Sequence, residues 1–350
     1  MADGPVIETA LLSFGMSGRV FHAPFIQAHA GYRLAGSWER TRPLIGEHYP
    51  DARRYSSLDE LLGDESIDLV VVNTPTLTHF DYAMRALEHG KHVVVEKAFA
   101  GNAEEARQLR DLAAARGLKL AVFQNRRWDS DFLSVQQVLS SGRLGDIVEA
   151  NLGYCRYGPA LSPKAHKEVP SAGAGIVKDL GPHVIDQALV LFGMPDGVFA
   201  DIAITREQSR VDDYFDILLK YPDKRVHVRG GYFYKEPLPE YSLFGRLGSY
   251  VKRRADVQES QLQRGVPPGA DEYGVEPAGA EGRLVTGDID ATDTSRLPAP
   301  RGDYMAFYEG MHDAIANGRP EPVTADDGVQ VMRIIDAAFE SHRQGRMIRP

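Results

Sequence analysis

The chain predicts an α/β protein: a doubly wound parallel sheet, then a second domain of α+β type with a predominantly antiparallel sheet. Three features predict this. Strands alternate with amphipathic helices through residue 123, the first strand runs into a turn spaced by Gly15 and Gly18, and beyond residue 147 strands follow one another across short turns. At 350 residues the chain exceeds one ordinary core and fits two domains, expected at 1–124 and 125–350.

Residues 8–14 form a short apolar strand ending in Gly15-Met16-Ser17-Gly18, and a helix-like segment carrying Val20, Phe21, Phe25 and Ile26 follows. Residues 32–38 read as the second strand. Ser57-Leu58-Asp59-Glu60 has the form of a capping box, so a helix starts there. Residues 69–73 are a continuous apolar strand, the pattern of a parallel strand covered on both faces. A helix over 78–89 stops at Gly90 and another over 102–116 stops at Gly117, where glycine ends helices; strands at 92–96 and 119–123 follow them.

In the second half a helix over 131–141 ends at Gly142, and segments 147–156, 198–206, 214–221 and 225–234 are strand-like. A helix over 182–192 interrupts them. Residues 265–300, rich in Gly, Pro and acids, lack periodicity and read as an extended loop or lid-like excursion. Helices over 304–317 and 326–344 close the chain, the last with Val329, Val331, Ile334, Ile335 and Phe339 on an apolar stripe.

A composition of 43% hydrophobic and 25% charged residues is globular, and a formal charge of −9 argues against a nucleic-acid partner. Cys155 is the only cysteine, which excludes an intrachain disulfide and a thiolate zinc site; no metal is expected. No stretch approaches the roughly twenty apolar residues that span a bilayer, and the start lacks a basic region followed by an apolar one. The expectation is a soluble, reduced, cytoplasmic protein without a membrane partner.

In doubly wound sheets ligands bind beyond the carboxyl ends of the strands, which here are residues 14–18, 38–40, 73–75 and 96–97. Gly15 lets a backbone approach phosphates and Gly18 lets the helix pack on the strand, although Ser13 stands at the first glycine of G-x-G-x-x-G. Glu39 falls where a carboxylate would accept hydrogen bonds from the adenosine ribose of NAD; Arg40 and Arg42, next along, would pair with the 2′-phosphate of NADP. Both cofactors stay open on these residues, and surface charges of a βα loop are the plainer alternative.

Lys97 closes the apolar strand HVVVEKA, and Asp179 and His183 lie one helical turn apart in KDLGPHVIDQ. Moving a hydride between an alcohol carbon and nicotinamide requires the hydroxyl proton to leave as the carbonyl forms. His183 suits the base, Asp179 would fix its tautomer, and Lys97 would stabilise developing alkoxide. Pro182 places the helix start at 181–182, with Asp179 on the entry loop. Arg126, Arg127, Trp128 and Arg156 are candidate substrate contacts, the first two as donors to a polyol or acidic substrate, or else as a hinge salt-bridge cluster. Each member of the trio also has a structural alternative: a capped histidine, a helix-entry carboxylate, a surface lysine.

Beyond the glycine turn, the segments VFHAP (20–24), NRRWDSDF (125–132) and DLGPHVIDQ (179–187) resemble the Gfo/Idh/MocA oxidoreductases over nearly the whole chain, closest to the branch of NADP-dependent scyllo-inositol 2-dehydrogenases. The resemblance implies a Rossmann domain, an open-faced sheet, NAD or NADP, and interconversion of a secondary alcohol and ketone of a cyclic polyol or sugar by a homodimer or homotetramer. It implies that Lys97 and Asp179 position the substrate while His183 transfers the proton. Thr74, Pro75 and His79 would lie along the cofactor, with Phe14, Gly15, Met16, Ser17, Gly18, Glu39, Arg40, Asn73, Glu96, Lys97 and Asn125 completing its site. Two departures stand out: Ser13 in the glycine turn, and Ala98 for the proline of the family's E-K-P. The tryptophan common before the catalytic helix is also absent from 162–175. Two alternatives share the fold, a redox-cycling glycosidase that keeps its NAD and a silent cofactor-binding regulator. Retention of Lys97, Asp179 and His183 weighs against the regulator.

Overall fold

The computed structural model describes residues 5–40, 42–163 and 165–350. The chain runs through β1 (Ile7–Leu11), a π-helical turn (Gly18–His22), α1 (Ala23–Ala28), β2 (Tyr32–Trp38), α2 (Ile45–His48), β3 (Arg53–Tyr55), α3 (Leu58–Leu62) and β4 (Leu69–Val72). It continues through α4 (His79–Glu88), β5 (His92–Val95), α5 (Ala103–Arg116), β6 (Leu120–Val122), α6 (Ser130–Ser140) and β7 (Ile147–Cys155). Next come α7 (Ala165–Glu168), α8 (Ile176–Asp179), α9 (Gly181–Phe192), β8 (Gly197–Ala203), β9 (Tyr214–Lys220), β10 (Arg225–Gly231), β11 (Tyr241–Gly245) and β12 (Gly248–Lys252). The last elements are α10 (Gln258–Gln263), β13 (Gly282–Asp288), β14 (Ala291–Leu297), α11 (Met305–Asn317) and α12 (Ala325–Gln344).

Residues gather into two units. The first is Met1–Asn125 with Gln258–Tyr273 and Tyr304–Val329; the second is Arg126–Val257, Gly274–Asp303 and Gln330–Pro350. The first boundary falls beside the expected residue 124, and residues 258–273 and 304–329 return to the first unit. Phe25 stacks on Tyr308 at 5.5 Å and meets Tyr273 and Tyr304 edge-on or tilted, and the Tyr304 amide donates to Gln258 Oε1 at 2.8 Å. Aromatic side chains thus bring distant segments into the first unit's core.

The first unit holds a six-stranded parallel sheet in the order β3-β2-β1-β4-β5-β6, the doubly wound arrangement. β4 is fully buried along its length, which is why its run is continuously apolar. Asn102 caps α5 by accepting the Glu105 amide at 2.9 Å, and Gly117 ends it at φ 64°. Ser57 Oγ accepts the Glu60 amide at 3.0 Å, but the Glu60 carboxylate returns to the Ser56 amide at 2.8 Å instead of to Ser57, so the capping box closes one residue early.

The second unit holds an eight-stranded sheet, β14-β13-β12-β11-β7-β10-β9-β8, antiparallel except between β7 and β10. Helices α6, α8 and α9 pack on it. Register puts Leu243, Ala150, Val226, Leu219 and Val198 in one buried row, and Ser242, Asn151, His227, Leu218 and Phe199 in the next, on the opposite, more open face. Residues 265–300 are not one extended loop: β13 and β14 pair as an antiparallel hairpin that extends the sheet. The exposed, polar β14, ATDTSRL, carries no alternation because neither face is buried. Among the described residues no helix is long and apolar enough to cross a membrane.

Candidate active site

The exit of β1 is held by its own side chains. Ser13 Oγ accepts the Gly15 amide at 3.2 Å, so the residue replacing the pattern's first glycine braces the turn. A Cβ on Gly18 would lie 2.5 Å from the Ser13 carbonyl oxygen, so only glycine fits there. Asn73 Nδ2 donates to that carbonyl at 2.8 Å and ties the β4 exit to the turn. Phe14 is buried against His48 and Tyr49, while Met16 is exposed at the tip of the turn. A concave site beside the turn is lined by Ser13, Phe14, Gly15, Glu39, Arg40, Arg42, Thr74 and Pro75, the place a dinucleotide's adenosine end requires.

Glu39 lines this site, is 8% exposed, and its two oxygens accept the amides of Leu44 at 2.8 Å and Ile45 at 3.2 Å, so its carboxylate also shapes the loop before α2. Arg40 and Arg42 are exposed and have no ion-pair partner among the described residues. His79 is not among the residues that line this concave site. It is buried, with one ring nitrogen 2.8 Å from the Ala98 carbonyl and the other 2.8 Å from the Thr74 carbonyl, and so links the exits of β4 and β5. Burial is the main influence on His79 and lowers its pKa.

Glu96, at the β5 exit, accepts the Ser17 hydroxyl at 2.7 Å and faces His22 Nε2 at 3.1 Å; His22 Nδ1 lies 2.7 Å from the Tyr308 hydroxyl. Burial opposes ionisation of Glu96, but His22, Ser17 and the Lys97 charge prevail and hold its carboxyl at about 2. The Lys97 amide also reaches Glu96 Oε2 at 3.3 Å, and the Lys97–Ala98 peptide is cis. The glycine turn and the lysine are therefore joined through one carboxylate. His22 and Tyr308 were not among the expected site residues; His22 lies in VFHAP, but its partner is far along the chain.

In the second unit Asp179 closes α8 and Leu180 separates it from α9, whose first turn carries Pro182 and His183. Asp179 thus ends a short helix instead of lying on a loop. Its Oδ2 accepts Lys167 Nζ at 2.6 Å. His183 is 6% exposed, its ring 6.4 Å from that of Tyr154. Arg126 and Arg254 both lie over Tyr154, at 5.5 and 4.3 Å, and both reach Asp129 Oδ2, at 3.3 and 3.2 Å. Burial pushes the Asp129 carboxyl up to about 7 against the pull of Arg126 and Arg254. Arg127 grips Asp186 with two hydrogen bonds, 2.8 and 2.7 Å, so its charge is committed inside the fold. Trp128 accepts the Asp303 amide at its carbonyl, and Asn125, buried, starts the 3₁₀ turn leading to it. Arg156 and Asp179 line one cavity together with Lys167, Arg206 and Tyr232, three residues outside the expected set: Lys167 lies in a stretch without periodicity, and Arg206 and Tyr232 lie near the ends of segments read only as strands.

A glycine turn that only glycine can form, at the mouth of a doubly wound sheet, and a His–Asp-bearing second unit define a nicotinamide-dependent oxidoreductase. Residues 7–124 match the NAD-binding Rossmann-fold model of an oxidoreductase family and residues 136–349 match that family's C-terminal α/β domain. The chain belongs to the Gfo/Idh/MocA oxidoreductase family and is an NAD(P)-dependent dehydrogenase or reductase. It is similar to the NADP-dependent scyllo-inositol 2-dehydrogenase of Bacillus subtilis, at 35% identity over 98% of this chain and 95% of that protein. It is also similar to an NADP-dependent D-xylose 1-dehydrogenase of Haloferax volcanii, at 25% identity over 93% and 94%. An oxidoreductase structure from Bacillus cereus superposes with a TM-score of 0.90 at 28% identity, over 98% of both chains.

Proposed function

We propose that this oxidoreductase interconverts a secondary alcohol and a ketone of a cyclic polyol or sugar, with NADP preferred to NAD. The observation that carries the reading is the polar cavity holding Asp179, on the helix that leads directly into the one bearing His183. The nicotinamide, when bound, accepts or supplies the hydride. On this reading His183 takes the hydroxyl proton at a ring nitrogen, Asp179 orients the substrate and favours the protonated imidazole, and the Lys97 ammonium steadies the reacting oxygen. Ser13 and Gly18 shape the turn that would hold the pyrophosphate, with Gly15, Ser17 and Asn73 supporting it.

NADP preference follows from a division of labour at the β2 exit: Glu39 is spent on the Leu44 and Ile45 amides, while Arg40 and Arg42 keep their charge for a phosphate. Relatives whose names print NADP support it. The open sheet face, with its row from Ser242 to Phe199, supports assembly as a homodimer or homotetramer. A panel of inositols, sugars and keto-sugars, followed by nicotinamide absorbance with each cofactor, tests the whole reading. Net consumption of free cofactor with a polyol or its ketone is expected; turnover without net consumption would favour the redox-cycling glycosidase, and binding of cofactor without any turnover would favour the regulator.

A further inference from the structure

The cavity that holds Asp179 lies entirely in the second unit, and its lining is densely charged: Arg156, Lys167 and Arg206 stand with Glu168, Asp179 and Asp212 around Tyr232. Most of these charges are compensated. Arg206 Nε donates to Asp213 at 2.8 Å and its Nη2 to Glu168 at 3.0 Å. Lys167 is paired with Asp179 at 2.6 Å. Asp212 accepts the Val177 amide at 2.8 Å, and burial pushes its carboxyl up, toward the neutral form. Arg156 has no ion-pair partner among the described residues; it is exposed and lies over the Tyr232 ring, 5.1 Å from its centroid, with Arg206 over the same ring at 4.8 Å.

Resting on the function proposed above, we infer that the substrate carries an anionic oxygen group, a carboxylate or a phosphate, on its polyol or sugar frame, and that Arg156 receives it. A guanidinium held against an aromatic face is pre-oriented and keeps N–H donors along its edge, the geometry that grips two oxygens at once. Neutral hydroxyls need no uncompensated cation. In a chain of net charge −9, a guanidinium without a paired acid gives an anion a local point of attraction. The anionic group would then be received at Arg156, with Lys167 pairing the Asp179 charge that would otherwise repel it.

Steady-state kinetics of the full chain with NADP(H) tests this on matched pairs: a hexuronate against the hexose, a hexose 6-phosphate against the hexose, an inositol phosphate against the inositol, and each corresponding keto form. One anionic series should exceed its neutral counterpart in kcat/KM by at least about tenfold, the scale of one charge-assisted fork. The preferred series identifies the group as carboxylate or phosphate. In Arg156→Ala the ratio of anionic to neutral kcat/KM should fall to about one, and Arg156→Lys, keeping charge without the fork, should fall between. In the wild-type protein, KM for the anionic series should rise with ionic strength while KM for the neutral series stays level, a readout that needs no variant. Neutral substrates turned over as well as or better than both anionic series would overturn the inference and leave the dehydrogenase reading standing. An anion preference that Arg156→Ala, folded by its melting curve, leaves intact would overturn the role of Arg156. Absence of turnover with every substrate and both cofactors would remove the underlying function and this inference with it.

Discussion

Glu96 and Asp179 are both acids facing a basic partner, one in each unit, and their surroundings differ. The Glu96 side chain is 14% exposed and its partner His22 is fully buried; Asp179 is 20% exposed and its partner Lys167 is 37% exposed. Glu96 is gripped by Ser17, His22 and the Lys97 amide, all on or beside regular elements of the first unit. Lys167 reaches Asp179 on a long, flexible stem from a short helix in an irregular segment. On the proposed function the first acid belongs to the wall that meets the cofactor, the same molecule at each turnover, and is braced by buried contacts with little freedom. The second belongs to the wall that meets the substrate, and its ion pair near solvent, worth roughly 0–1 kcal/mol, can adjust at small cost.

On the proposed mechanism the largest effects should come from His183, which takes the proton, and Lys97, which steadies the oxygen. Lys97→Ala and His183→Ala are each expected to lower kcat at least about a hundredfold, with melting curves close to wild type; near-normal rates in both would break the assignment. Gly18→Ala comes next. Its added methyl meets the Ser13 carbonyl, so the Kd for NADP by calorimetry should rise at least about tenfold.

Glu96→Gln sharpens the contrast on the stability side. The folded carboxyl, at about 2, lies below its unfolded value, so ionised Glu96 contributes stability that is complete above the unfolded value and lost as pH falls toward 2. Denaturant melts at neutral pH should show a loss of roughly 2–3 kcal/mol, and the gap to wild type should close between about pH 4 and pH 2. A gap that stays constant across that window would show that the carboxylate is not the group responsible. Lys167→Met, at the other pole, should change stability by less than about 1 kcal/mol, because its ion pair is partly solvated; a loss as large as that of Glu96→Gln would erase the distinction between the two walls.

Much of the first unit is legible in the chain because burial on both faces writes itself as unbroken apolar runs, and because Gly90, Gly117 and Asn102 mark helix ends by local chemistry. The alternation of strands and helices and the places of Gly15, Gly18, Lys97 and His183 could be read as well, whereas Asp179, expected on an entry loop, closes α8. What escaped depends on partners, near or far along the chain, that composition and periodicity do not name. Glu39 stands at the strand end that usually meets a ribose, yet its carboxylate turns to amides five and six residues on. His79 is as polar as a ligand but sits in the core between two backbone carbonyls. The β13–β14 hairpin hides in a Gly- and Pro-rich stretch because an exposed edge carries no apolar period. Tyr273, Tyr304 and Tyr308 join the first unit through aromatic contacts that no local pattern announces.

The most direct test of the central claim is single-turnover transfer from NADPH carrying deuterium at the nicotinamide carbon that donates hydride, with a keto-polyol as acceptor. Deuterium should appear at the carbinol carbon of the product, and His183→Ala should slow that step while leaving the Kd for NADPH in place. Deuterium retained in the cofactor, or a transfer rate indifferent to His183, would contradict the account.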